Sequence, residues 1–247
     1  MLVPRADAAR LPRETSAFSI SQQRLPALLA FIAGMVDLTG FLTLGHVFTA
    51  HITGNLVVLA AGIVRGGPIN VAQALAIPTF MLMVAGVWLL ARTRAARTSA
   101  LTQRLLLVQF LLLAAVFGLS VITRPSTDPH GVMAAVAVLV AASAMACQNT
   151  LLHMTVAAAP STAVMTGNLV SAVLSGLDTL SPDRTTRADA RQRLGKVSPL
   201  LLGFLVGCIV AAAAVSLAAD WAWSLPAGLA GLAAALHWTA DMNGTNL

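Results

Sequence analysis

Residues 49–57 read TAHITGNLV, and 113 positions further on residues 162–170 read TAVMTGNLV. Seven of the nine positions are identical; the exceptions are His51 against Val164 and Ile52 against Met165. The surroundings repeat as well. A long apolar run precedes each copy, a short apolar piece follows it (about 55–64 and 167–180), and two more long runs complete the unit. A helix that crosses hydrocarbon needs roughly 20 mostly apolar residues. Six stretches meet that length: about 25–47, 71–91, 104–122, 131–152, 199–219 and 222–239. The expected fold is an all-α integral membrane protein with about six transmembrane helices and two short broken or re-entrant helices, arranged as an inverted internal repeat. Repeat one covers about 25–122 and repeat two about 131–240, inside one membrane domain at 25–247. Residues 1–24, with Pro4 and Pro12, read as a loosely ordered, polar and basic cytoplasmic tail.

Composition supports lipid as the solvent. The chain is 57% hydrophobic and only 10% charged, with a mean hydropathy of +0.83, whereas a soluble domain carries about 25% charged residues. The net charge of +6 does not mark a nucleic-acid protein, because the basic residues lie between apolar runs instead of on one aromatic-bearing face. Arg5, Arg10, Arg13 and Arg24 precede the first run; Arg92, Arg94, Arg97 and Arg104 form one expected loop; Arg184, Arg187, Arg191, Arg193 and Lys196 form another. If the two short pieces return to the side they came from, all thirteen of these fall on one side, against Arg65 and Arg124 on the other. That is the arrangement the positive-inside rule favours, and it places both termini in the cytoplasm. Trp88, Trp221, Trp223 and Trp238 stand near the ends of apolar runs, where indole rings gather at membrane interfaces. The first run contains Asp37 and lacks a cleavage signature, so no secretory leader is expected. Cys147 and Cys208 lie within apolar runs without metal-ligand spacing and read as packing residues.

Thr-Gly-Asn suits a helix break inside a membrane. Unsatisfied backbone groups are costly in hydrocarbon, so protein or a polar cavity must meet them. Thr53 and Thr166 can cap a helix start, and Gly54 and Gly167 allow close approach or a positive φ. Asn55 and Asn168 carry an amide that donates and accepts at once. Each short helix would aim its positive end at whatever lies between the halves. The same two amides could instead bond each other or nearby carbonyls and lock the halves together. Asp37, alone among apolar residues, is a candidate for proton or cation coupling, or for a hydrogen bond that assembles helices. His46, His51 and His153 flank the breaks, and His51 could relay protons. Gln148 and Asn149 fall opposite Met35 and Val36, one or two residues from the point in the second half that matches Asp37.

The run GMVDLTGFLTLGHVFTAHITGNLVVL (34–59), with CQNTLLH (147–153) and AVMTGNLV (163–170), resembles the YoaK-like family of bacterial membrane proteins. The resemblance covers about 25–240 and implies about six helices and a bacterial inner membrane, with no established function. The second motif departs from the family pattern. Ala146-Cys147 and His153 stand where that pattern has a glycine near the Gln-Asn pair and a basic residue after it.

The expected function is a small transporter or channel-like permease for a small solute or ion. Its site would be drawn from Asp37, His51, Thr53, Gly54, Asn55, Gln148, Asn149, Thr166, Gly167 and Asn168. The alternative is a membrane scaffold, sensor or subunit whose polar residues only specify helix packing. No catalytic constellation, metal set or cofactor motif is expected. The lipid bilayer is the expected partner, and the small-residue pairs Gly203/Gly207 and Gly228/Gly231 would serve a homodimer or packing within one chain.

Overall fold

A computed structural model describes residues 15–66, 69–93, 98–155 and 165–244. Eight α-helices follow in order among them: α1 Thr15–Thr43, α2 Ile52–Val64, α3 Val71–Thr93, α4 Thr98–Thr123, α5 Val132–Thr155, α6 Met165–Asp178, α7 Arg184–Ala218 and α8 Ser224–Gly244. Short 3-10 turns at Pro125–Thr127 and Ala219–Trp223 lead from α4 to α5 and from α7 to α8. No strand occurs among the described residues. Five helical stretches are long and apolar enough to cross a bilayer: Leu25–Thr43, Val71–Arg92, Ser99–Thr123, Val132–Met154 and the continuous Arg184–Thr239, which holds both α7 and α8. The 13 residues of α2 reach only about 20 Å, short of the roughly 30 Å of hydrocarbon.

Helix directions follow from contacts between their ends. The Asn70 amide donates to the Gly45 carbonyl at 2.9 Å and the Gln73 amide to the His46 carbonyl at 3.0 Å, so α3 starts beside the end of α1. Pro129 and His130, just before α5, lie against Gly45 as well. Ser126 donates its hydroxyl to Asp220 at 2.6 Å, which ties the α4–α5 turn to the α7–α8 turn. At the opposite end Gln103 of α4 meets Ala234 and His237 of α8. Thus α1, α4 and α7 run toward one end of the bundle, and α3, α5 and α8 run away from it. In the packing, α1 lies on α7 and α3 on α5; α2 lies on α3 and α6 on α7; α4 lies against α5 and α8.

The core forms where these helices meet, around Leu29, Ile32 and Val36 of α1, Leu106 and Leu113 of α4, and Val138 and Met145 of α5. Outward faces are equally apolar: Leu82, Leu174 and Leu205 are all more than half exposed. Water would reject such a surface, whereas lipid accepts it. Between α1 and α7 the backbones nearly touch. A Cβ on Gly207 would fall within 2.2 Å of the Phe31 carbonyl, and one on Gly34 within 2.2 Å of the Phe204 carbonyl. The small pair Gly203/Gly207 is therefore used inside the chain, parallel to α1, and is not an open dimer face. Gly231 packs under the Phe110 ring of α4, while Gly228 faces open space.

Three expectations are corrected. The basic segment expected as a loop before residue 199 is helical: α7 begins at Arg184 and runs 35 residues, about 52 Å. Asp183 starts it by accepting from the Thr185 and Thr186 hydroxyls and from both backbone N–H groups. Those bonds, the Thr185 hydroxyl first, hold the Asp183 carboxyl well below the usual carboxylate range. The tail expected over 1–24 ends sooner, since α1 starts at Thr15; residues 1–14, Arg94, Arg97 and residues 162–164 of the second repeat lie outside the described residues. Trp223 is fully buried, with its indole N–H on the Thr43 hydroxyl at 3.2 Å, because the α7–α8 turn folds inward over α1.

Candidate functional site

The first break begins where α1 stops. The Leu44 N–H bonds to the Gly40 carbonyl and the His46 N–H to the Phe41 carbonyl, a helix ending that needs a left-handed residue. Gly45 supplies it with φ +76, and no side chain would fit there, because a Cβ would lie 2.5 Å from the Pro129 carbonyl. The chain then doubles back alongside α1. By Thr49 it has returned to the level of Asp37, about two turns below the end of the helix.

There the carboxylate of Asp37 meets the start of α2. Its Oδ1 accepts the backbone N–H groups of Thr49 at 2.8 Å, Ala50 at 2.6 Å and His51 at 3.4 Å. Its Oδ2 lies 2.5 Å from His51 Nδ1. Thr49 and Ala50 precede the helix and His51 is its N-cap residue, so a carboxylate from a neighbouring helix fastens the backbone that leads into α2. Charge and dipole agree in sign, as the first turn is the positive end. His51 is the N-cap residue and makes no side-chain bond of the usual capping kind. Thr53, expected as the cap, lies inside the first turn and is exposed. Asp37 holds the turn before it instead.

Asn55 is fully buried and holds one residue at two points. Its Oδ1 accepts the Phe48 N–H at 2.8 Å, and its Nδ2 donates to the Phe48 carbonyl at 2.7 Å. Gly54 lets the Phe48 ring pack flat on α2, where a Cβ would come within 2.9 Å of it. The glycine thus serves close approach and keeps an ordinary φ. Asp37, His51, Gly54 and Asn55 form one cluster, and the His51 ring meets the Phe204 ring of α7 edge-on, with 5.0 Å between centroids.

Gln148 belongs to a different cluster. It accepts from Gln109 of α4 at 2.8 Å and donates to the Leu29 carbonyl of α1 at 2.9 Å, all fully buried. Asn149 bonds back to the Met145 carbonyl of its own helix. In the second half α6 starts at Met165, so Thr166 and Gly167 stand exposed in its first turn and Asn168 is buried. The Asn168 amide approaches the Met165 sulfur at 3.9 Å. Asn55 spends both ends of its amide on Phe48, so it does not bond Asn168. Among the described residues no group of three His, Cys, Asp or Glu side chains is placed to hold a metal.

A family profile described as a protein of unknown function (DUF1275) matches residues 25–236. The chain belongs to that family. It is also similar to the UPF0700 transmembrane protein YoaK of Bacillus subtilis (strain 168), 47% identical over 51 residues. That match covers 21% of this chain and 23% of the relative, so it spans about a quarter of that protein's length. No solved structure matches. With the apolar helices above, the family and its relative make this a membrane protein of several spans.

Sequence reading passed over two residues. Gln109 lies alone in the apolar run 104–122, a signal that was present but had no partner in sequence to point to. Its Oε1 is buried and has no hydrogen-bond partner among the described residues. Asp220 lies between the fifth and sixth apolar runs, a place where a charge carries no signal of its own. It is 5% exposed and accepts both the N–H and the hydroxyl of Ser126.

Proposed function

We propose that this protein is a small permease of the bacterial inner membrane for a small solute or ion, built as two inverted halves, each gated by a Thr-Gly-Asn break. The observation that carries the reading is the equivalence of the helices in packing and direction. Helix α1 lies on α7 as α5 lies on α3, α2 lies on α3 as α6 lies on α7, and α4 meets α8. Each equivalent pair, α1 with α5, α3 with α7 and α4 with α8, runs in opposite directions. Inverted repeats with interrupted helices near the midplane are a recurring transporter plan. Because α3 starts beside the end of α1, α2 re-enters and returns to one side, and α6 does the same on the other. The thirteen basic residues then fall on the cytoplasmic side with both termini.

The groups that would meet a solute are not all those expected from sequence. Asp37 and Asn55 are taken up by backbone of the break, whereas Thr53, Thr166 and Gly167 are exposed at the first turns of α2 and α6. A homodimer would use a face other than Gly203/Gly207, which α1 covers. The competing reading, a scaffold or subunit, is favoured by the same saturation of Asp37 and Asn55 by local backbone.

Single cysteines at Thr53 and Thr166, on a background without Cys147 and Cys208, separate the two. Each would be labelled in membranes with a water-soluble maleimide applied from either side. Thr127 and Thr185, exposed at opposite ends, serve as controls. The permease reading expects Thr53 to label from the side of Thr127 and Thr166 from the side of Thr185. Labelling of both controls and neither test position would place the breaks against lipid or dry protein and leave the scaffold reading.

A further inference from the structure

We propose that Asp37 and His51 form a proton-binding unit that loosens the first break when it takes up one proton; this rests on reading the break as a gate. The two carboxylate oxygens have different work. Oδ1 faces the N–H groups of Thr49, Ala50 and His51 and, at 3.4 Å, the Thr49 hydroxyl, so three donors that cannot accept crowd it and disfavour a proton there. Oδ2 faces His51 Nδ1. In the resting unit the carboxyl is an anion and Nδ1 carries the hydrogen it donates. That leaves a lone pair on His51 Nε2. The ring is 25% exposed, whereas the Asp37 side chain is 5% exposed, so a proton from outside reaches the histidine first.

The balance is simple. One proton adds to Nε2 and gives an imidazolium beside a carboxylate. Moving the Nδ1 proton to Oδ2 gives an uncharged acid beside an uncharged imidazole that now carries its hydrogen on Nε2. One proton has entered, and the buried site has lost its negative charge, which hydrocarbon disfavours. The cost falls on Oδ1. Bonds to an ionised acceptor are roughly twice as strong as those to a neutral one, and Oδ1 is the acceptor that holds Thr49, Ala50 and His51 at the start of α2. Protonation therefore weakens three bonds at the hinge together, while the local geometry stays in place.

Few other titratable groups face the unit. Cys208 of α7 lies near enough to feel the charge on Asp37, and its thiol bonds to the Gly34 carbonyl. His46 on the returning loop turns its ring to Phe41. Asp128 and His130 belong to the α4–α5 turn around Gly45. Helix α5 brings Gln148 to α1, without charge.

Hydrogen–deuterium exchange of the full chain in nanodiscs tests this without reference to transport. Exchange of a peptide covering residues 44–56 would be followed between about pH 5 and about pH 8, the window in which histidine changes charge. Each rate is divided by the intrinsic rate of the free amide at that pH. The expected result is about tenfold faster corrected exchange at the acid end, from weakening charged bonds to neutral ones. His51→Gln keeps a side-chain donor but cannot titrate, so it should show slow exchange across the range. Asp37→Asn should exchange fast throughout; if that variant does not fold, the His51→Gln comparison alone decides. Flat exchange in the wild type, or the same acid response in His51→Gln, overturns the proposal. An acid response with no maleimide labelling at Thr53 and Thr166 would leave the proton unit standing and remove the permease. Labelling with flat exchange would do the reverse.

Discussion

Replacing Asn55 with leucine keeps the side-chain volume close and removes both bonds to Phe48. The N–H and carbonyl of Phe48 then lie in a buried break with nothing to replace the 2.8 Å and 2.7 Å contacts. An orphaned buried polar group costs about 1–3 kcal/mol, so two cost about 2–6 kcal/mol. The gain from burying a leucine offsets part of this, and about 2–4 kcal/mol remains. For a chain of 247 residues each kcal/mol lowers the melting temperature by roughly 2–4 °C. The expected drop is then about 4–16 °C. The native thiols report it, since Cys147 is fully buried and should react with a fluorogenic maleimide only on unfolding in detergent. Thr53→Val, two residues away and exposed, should melt within about 2 °C of the wild type. If Asn55→Leu also melts within about 2 °C of the wild type, the two-point clamp does not hold the break, and Asn55 is left free for another role.

Gly207→Ile should be the most damaging single change between α1 and α7. Even its Cβ meets the Phe31 carbonyl at 2.2 Å, and backbone cannot give way as a side-chain tip can; a loss of about 3 kcal/mol or more would appear as low yield and a depressed melt, while Gly228→Ile, facing open space, would be near neutral. Asp183 gives a pH dependence of known sign. Its folded-state pKa is depressed, so its contribution is fully present above the ordinary carboxylate value near about 4 and is lost as pH falls through the lower folded-state value. Amide protection in the first turn of α7 should therefore hold from neutral pH to about pH 4 and decline below it, and Asp183→Ala should remove that protection at every pH.

The class of the protein was legible because lipid selects on composition over long windows, which no single contact can disguise. The short helices α2 and α6 were legible because TGNLV occurs twice. The partner of Asp37 was not legible, although His51 was already suspect. A carboxylate in α1 bonding the chain that leads into α2 is a contact made by a backbone that has doubled back, and neither helical nor strand periodicity encodes a reversal. The helical start of α7 was missed for a simpler reason. Arginine, threonine and alanine form helix as readily as many apolar residues do, but a scan for membrane spans stops where hydropathy falls. Gln109 looked like an isolated polar residue, and Gln148 like half of a pair with Asn149, until the fold set α4 against α5.

The close contact of α1 with α7 also sets a timetable. Helix α1 leaves the ribosome before α7, and Gly207, which meets Phe31 and Met35, is synthesised more than 170 residues after them. At about 5–20 residues per second the glycine face of α1 waits roughly 10–35 s for the helix that will cover it. Asp37 waits far less, because the N–H groups that satisfy it arrive within fifteen residues. The carboxylate is thus hydrogen-bonded early by local chain, and small-residue packing is left for the late partner. Messages truncated after α6 would yield an α1 that is electrostatically content but unmatched in shape, a form that membrane proteases can recognise by its missing neighbour.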